Sequence, residues 1–367
     1  MGSRIDDKFV TSVAEAVRRI FVALKFQCAD PTEIRLDPFR PAAPVAAYFD
    51  DGQNAWVLSR YADVFAGLRD SALAQTAGKH EAVVDEAAQH ARLYAEVQAD
   101  IERMSTEWWR MQMAEVMAKL LAKAKLRGRA DLVRDVIQPW STTMLVLLNG
   151  GGAAESERLR EISARMFPRA SGGRVERKLA AWRAKRAQAE LDSMLASGRL
   201  RIGRSMFFGL TQTLSSFLAK SWLALLKNPG EMERLFGDPQ LAQGATEELL
   251  RYAGVVHTFY RRAVKDVRVG DAEIADGQLV ILKLDAANFD PAKFEQPEVL
   301  DVGRRSAGQL GLGTGMHACV GAVLVRMACV VVMPMFVEAG PVLRGDVRWT
   351  SDKTLLWPVS VPVAFRE

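Results

Sequence analysis

One stretch constrains this chain more than any other: GLGTGMHACVG, residues 311–321, runs straight into the apolar sequence AVLVRMACVVVMPMFV. So apolar a run belongs inside the protein, and the glycine-studded loop reads as the entry to a buried helix. At such an entry the thiolate of Cys319 meets the helix dipole and unpaired backbone N–H groups, both of which favour the charged form. A cysteine placed there, beside His317, describes a ligand site.

Composition narrows what kind. Cys28, Cys319 and Cys329 are odd in number and far apart, so they imply no disulfide framework and a reducing compartment. His80, His90, His257 and His317 are too scattered for a zinc pattern, and no C-x-x-C occurs. Forty-nine basic residues against forty-four acidic ones leave a net charge of +5, spread along the chain; that suits a soluble protein with one basic docking face and argues against nucleic-acid binding. Near the N-terminus Val10, Val13, Val17, Phe21 and Leu24 follow the period of an amphipathic helix, and Arg18 and Arg19 interrupt any export signal. The longest uncharged run, Val136 to Ala154, holds Gln138, Pro139, Asn149 and three glycines, a density no lipid-facing helix tolerates. A cytoplasmic protein without a membrane anchor is expected.

From Ala87 to Lys227 the pattern is mostly helical, broken at NGGGAAES and PRASGGR. After Tyr252 it alternates like strands in VRVGDAEIADGQLVILKLDA, where Gly-Asp and Asp-Gly read as hairpin turns. No repeat or low-complexity linker divides the chain. The expectation is a single domain over residues 1–367, mainly α with small β-sheets.

The loop gains weight from what surrounds it. GLGTGMHACVGAVLVR closely resembles the haem-binding signature of the cytochrome P450 superfamily, Phe-Gly-x-Gly-x-His-x-Cys-x-Gly-x-x-Leu-Ala-Arg. Gly313, Gly315, His317, Cys319, Gly321, Leu324 and Arg326 match it, while Leu312 stands at the usual Phe and Val325 at the usual Ala. The resemblance implies haem b with Cys319 as the iron ligand, and Gln309, Leu312, Gly313, His317 and Gly321 around it. Upstream, Glu248 and Arg251 in ATEELLRY fit the family's Glu-x-x-Arg pair, which implies a buried structural role; the usual third member, an arginine, falls on Val299, and Arg304 or Arg305 is the candidate substitute. Arg261, together with His90 and Arg92 in QHARLY, matches the cations that meet the haem propionates in relatives, where burying two carboxylates demands positive partners. The implied fold is a triangular prism of helices with a minor sheet region.

On the long central helix the family carries an acid and an alcohol for proton delivery. The matching residues are Gly209, Leu210, Thr211, Gln212, Thr213 and Leu214. Thr213 keeps the alcohol and is expected on the helical face of Met206, Leu210, Leu214 and Phe217. Its bland alternative is back-bonding to the carbonyl four residues earlier. Gln212 cannot ionise, so it orients a water and does not act as acid or base. Leu210 in place of glycine is expected to narrow the groove beside the haem. Val255, Val256, His257 and Thr258 would flank its distal side, with His257 either a polar anchor for substrate or a ring in solvent.

The resemblance therefore implies a monooxygenase acting on a small, largely apolar, natural-product-like molecule, with electrons from a ferredoxin and its reductase or from a flavodoxin docked near Arg326. The departures on the central helix keep alternatives open: oxidative coupling, desaturation, peroxide-driven oxidation, rearrangement, or a haem protein without oxygenase turnover. Cys329 is expected to be a small apolar filler.

Overall fold

The computed structural model of the chain describes residues 39–75, 86–102, 106–150, 153–166, 174–198, 200, 203–351 and 356–365. The segment from Val10 to Leu24, Cys28 and the loop before His90 lie outside them. Helices dominate, with small sheets set to one side, as the pattern of the sequence leads one to expect. They are α1 (Tyr61–Arg69), α2 (Glu86–Glu102), α3 (Thr106–Leu126), α4 (Gln138–Asn149), α5 (Ala153–Met166) and α6 (Arg174–Ala196). The central rod α7 follows, and then α8 (Pro229–Gly237), α9 (Ala242–Tyr252) and α10 (Ala322–Ala339).

The rod is wound in three consecutive pieces: α-helical Arg204–Phe208, a π-helical turn Gly209–Leu214, and α-helical Ser215–Lys227. Gly209 and Ser215 at the joints have ordinary helical dihedrals, so the backbone runs through without a break. From Ser215 to Leu225 every residue is buried, which explains a sequence apolar on nearly all sides. Lys220 is the one charged residue in that run. Trp222 stacks on Phe336 of α10, ring centroids 4.2 Å apart at 11°, and ties the rod to the helix that follows the cysteine loop. Truncating Phe336 to alanine would leave a cavity costing about 3–5 kcal/mol.

By length and composition α10 could cross a membrane. Its neighbours are α3, α8, α9 and the rod, so its apolar surface is that of a core helix. Cys329 on it is buried, and burial pushes its thiol up to about 12, in keeping with a filler. The helix stops at Gly340, whose φ of 65° is a left-handed cap that a side chain would strain.

Among the described residues, four small sheets complete the fold. The largest has the order β1 (Tyr48–Asp50), β2 (Ala55–Leu58), β8 (Leu279–Lys283), β5 (Thr258–Ala263), β3 (Leu73–Gln75), with only the β2–β8 pair parallel. A second core of Leu58, Val64, Leu68, Val280 and Leu282 lies beneath it, under α1. Strands β4 (Arg129–Asp131), β12 (Pro362–Phe365) and β9 (Pro341–Leu343) form another sheet, and β10 (Arg348–Ser351) pairs with β11 (Leu356–Ser360). The Gly270-Asp271 turn does join a hairpin, β6 (Val267–Val269) to β7 (Ala272–Ile274). Asp276-Gly277 does not: Gly277 turns with a φ of 79°, but β8 leaves to pair with β5 and β2. Alternation marks strands and cannot say which strand is the partner.

Candidate functional site

The loop 311–321 is wedged between two helix ends. A Cβ on Gly311 would lie 2.3 Å from the Leu250 carbonyl oxygen at the end of α9, and one on Gly315 would lie 2.9 Å from the Leu68 carbonyl oxygen in α1. Gly313 and Gly315 also take φ of 67° and 74°, a region open to glycine at little cost. Glycine is thus required here by space and by dihedral together. The Cys319 N–H donates to the Leu312 carbonyl at 2.8 Å, closing the loop on itself.

Cys319 keeps an exposed side while its sulfur is crowded by the protein, and that crowding pushes the thiol above its ordinary range. The Gly321 N–H and the charge of Arg326 pull the other way. The bare thiol is therefore less acidic than the helix-dipole argument alone suggests, because desolvation outweighs it. Coordination to a metal deprotonates a thiol outright, so this does not count against a ligand role. Leu312 and Val320 are half-buried against the main core, and the Phe259 ring approaches Gly313 from β5. One sulfur, small glycines and an apolar surround fit a flat macrocycle bound through a single thiolate.

Behind the loop the Glu248–Arg251 pair is buried with both side chains at 0% exposure, which rules out a simple surface ion pair. Arg251 grips Glu248 through Nε and Nη2, both at 2.8 Å, and donates to the carbonyls of Asn288 and Pro297. Arg304 supplies the third member, 3.2 Å from Glu248 Oε1, and Ser306 donates to Oε2 at 2.6 Å. Val299, where relatives carry an arginine, contributes its carbonyl to both arginines. Arg305 is not part of this cluster among the described residues.

Of the expected cations, Arg261 on β5 is buried at 2% exposure, its guanidinium 5.4 Å from the Phe259 ring. Arg92 is exposed on α2; His90 falls on the same helix, but its side chain lies outside the described residues. Gln309 has both ends of its amide engaged, donating to Glu247 at 3.0 Å and accepting from Gly311 N–H at 2.6 Å. Through these two bonds it supports the loop. Arg326 is held by Glu247 at 2.5 Å, so its charge is already met.

The rod corrects the expected register. Leu210 and Leu214 are buried in the main core with Met206 and Phe217, while Thr213 is exposed. The π turn is the cause, since its wider winding rotates Thr213 off the face an α-helix would give it. Leu210 packs in the core, and a Cβ on Gly209 would meet nothing within 4 Å. Thr213 Oγ1 donates to the Gly209 carbonyl at 3.0 Å, the bland bond the sequence allows. A hydroxyl that donates in this way keeps its oxygen as an acceptor. Gln212 is half-buried beside it.

The segment between α9 and β5 is fastened through three of its carbonyls. Gly254 gives its carbonyl to Lys220 Nζ at 2.9 Å, Val255 gives its carbonyl to Leu356 N–H at 3.3 Å, and His257 gives its carbonyl to Leu284 N–H at 2.9 Å. His257 is neither a free anchor nor solvated. Its Nε2 lies 3.0 Å from Lys220 Nζ and its Nδ1 3.6 Å from an Asp285 oxygen. Val255 and Thr258 are buried, whereas Val256 is half-buried. The sequence reading passes over Lys220; the available signal was a lone lysine in the apolar run SSFLAKSWLALL.

Comparison with known proteins agrees with this geometry. Residues 205–339 match the family model described as Cytochrome P450. Cytochrome P450 FAS1 of Rhodococcoides fascians is 31% identical over 271 residues, covering 67% of this chain and 68% of that protein. Nocardicin C N-oxygenase of Nocardia uniformis subsp. tsuyamanensis is 28% identical over 359 residues, covering 86% and 90%. Among solved structures, CYP109B1 from Bacillus subtilis has a TM-score of 0.71 at 20% identity, covering 87% of this chain and 95% of that one, a likeness of fold. The chain belongs to the cytochrome P450 family, monooxygenases of the bacterial type that bind haem b.

Proposed function

We propose that this protein is a cytoplasmic haem-thiolate monooxygenase, a single domain over 1–367, that oxidises a small, largely apolar molecule of the natural-product kind. Nocardicin C N-oxygenase, which by its name acts on nocardicin C, is similar over 86% of this chain and supports a small-molecule substrate. Electrons come from a ferredoxin with its reductase or from a flavodoxin. The observation that carries the reading is the thiol of Cys319, held by a loop that two helix ends force to be glycine-rich.

When bound, haem b supplies the oxidising chemistry, with the thiolate pushing charge toward the iron to favour O–O cleavage. Cys319 is the ligand; the Gly321 N–H aimed at its sulfur moderates how much charge it gives. Leu312, Gly313, His317 and Gly321 line the sulfur side. Arg261, with Arg92 and His90, neutralises the propionates. On the other side Thr213 accepts a hydrogen bond through its free lone pairs and Gln212 orients a water, neither supplying a titrating proton. Gly209 leaves the open space there. Val255, Val256 and Thr258 form the facing wall.

Gln212 in place of the acid favours a second reading, a reaction less dependent on proton delivery, such as oxidative coupling, desaturation or peroxide-driven oxidation. One experiment tests ligand and reaction together. The ferrous carbonyl spectrum of the purified protein is expected to be of the thiolate type and to lose that character in Cys319→Ala; an unchanged spectrum would mean another ligand. Turnover with NADPH and a surrogate ferredoxin system supports hydroxylation, turnover with peroxide alone supports the second reading, and neither, despite a substrate-induced spectral shift, leaves a haem protein without turnover.

A further inference from the structure

Lys220 is buried to 2% exposure in the middle of the rod, seven residues beyond Thr213. Among the described residues it forms no ion pair. Its Nζ reaches instead to the Gly254 carbonyl and the His257 ring, two groups that bracket Val255 and Val256. We infer that Lys220 is a positioning residue: from the rod it fixes the two valines of the facing wall, and its proton sets how firmly that wall is held. The inference rests on the proposed reading that these valines face the substrate.

The groups around it decide the direction of the effect. Asp285, in the short helical turn Leu284–Ala287 that follows β8, is the charge that favours the ammonium. Lys283 pairs with Asp285 at 3.4 Å and donates to Thr258 Oγ1 at 3.1 Å, so it competes for the same carboxylate. Phe39 presents a ring 5.8 Å from Nζ, and β11 brings no ionisable side chain. Toward α9, the Glu248–Arg251 pair is spent on the carbonyls of Asn288 and Pro297. Burial pushes Lys220 down to about 7 and, with the two lysines, holds His257 well below its ordinary range. The imidazole is therefore neutral. Below about pH 7 the ammonium donates charge-assisted bonds to Gly254 and His257, and above it those bonds fall to ordinary strength. A ligand that needs the wall in place gains from the protonated form.

The test uses the haem-loaded full chain and 4-phenylimidazole, followed by the shift of the haem absorption band from pH 6 to 8.5. The probe's own titration is common to every variant and cancels in ratios. Lys220→Met keeps the side chain's length without its proton. The wild type is expected to bind about tenfold tighter than Lys220→Met at pH 6, narrowing to about threefold at pH 8.5. A ratio that is constant with pH, or equal to one, overturns the inference, because a packing role alone is insensitive to pH. Should Lys220→Met not fold, Lys220→Gln, which can still donate to Gly254, is expected to match the wild type at pH 8.5 and lack its gain at pH 6. Val256→Phe separates the two layers. If it leaves probe binding unchanged, the wall itself is misplaced; if it weakens binding while the Lys220→Met ratio stays flat, only the role of Lys220 fails.

Discussion

Around Cys319 the backbone is jammed from two directions, whereas beside Gly209 nothing stands within 4 Å of where a side chain would begin. The sulfur side is built from main-chain contacts that only glycine permits, backed by a buried carboxylate meeting two arginines and a serine. The rod side is built from side chains, a π turn, an alcohol bonded to its own helix and an amide that cannot titrate. A ligand that never changes asks for a rigid seat, and a wall that meets varied molecules tolerates substitution. The difference lies in whether backbone or side chains carry the geometry.

That contrast can be broken most severely at the ligand. Cys319→Ala is expected to abolish the thiolate-type carbonyl spectrum and all oxygenase turnover, measured on the reconstituted protein. Next comes Glu248→Gln, which leaves the buried Arg251 and the half-buried Arg304 without their counter-charge; thermal or urea unfolding is expected to show a loss of about 3–5 kcal/mol. If the loss is under about 1 kcal/mol, the seat behind the cysteine is less rigid than the contacts imply.

Lys220 gives a stability effect of opposite character. Its pKa is about 7 in the folded protein against 10.5 for an ordinary exposed lysine, so between these values the unfolded chain holds more protons. Wild-type stability must rise as pH climbs from about 7 toward 10, by a few kcal/mol in total, relative to Lys220→Met. Parallel melting curves for the two proteins across that range would mean that water reaches the amine. The smallest effect belongs to the adaptable wall. Gln212→Glu restores an ionisable group and is expected to raise ferredoxin-supported turnover a few-fold if protons limit it; an unchanged or lower rate assigns the glutamine another task.

How much of this the sequence discloses follows the same division. The cysteine loop and the Glu-x-x-Arg pair are legible because backbone geometry and buried charge each demand particular residues at particular spacings. The resemblance offers Arg304 or Arg305 as the third member, and the bond to Glu248 falls to Arg304. The rod misleads because its winding is irregular. A period of 3.6 places Thr213 with Leu210 and Phe217, and no residue in GLTQTL announces a π turn. The partner of His257 is hidden for another reason: Lys220 lies 37 residues away in sequence, and only the packing of the rod on segment 254–258 brings the two together. Similarly, Asp276-Gly277 satisfies every local rule for a hairpin, yet the sheet order sends β8 elsewhere.

The π turn has one more effect, on how this helix tolerates changes of length. Loss of a single residue between 209 and 214 could be absorbed by rewinding the wide turn to the ordinary pitch, leaving the buried stretches on either side in register with their neighbours. The same deletion between Ser215 and Ser221 would swing every later side chain by about 100° and tear Trp222 from Phe336. Length variation among descendants of this gene should therefore collect at the π turn and spare the rest of the rod.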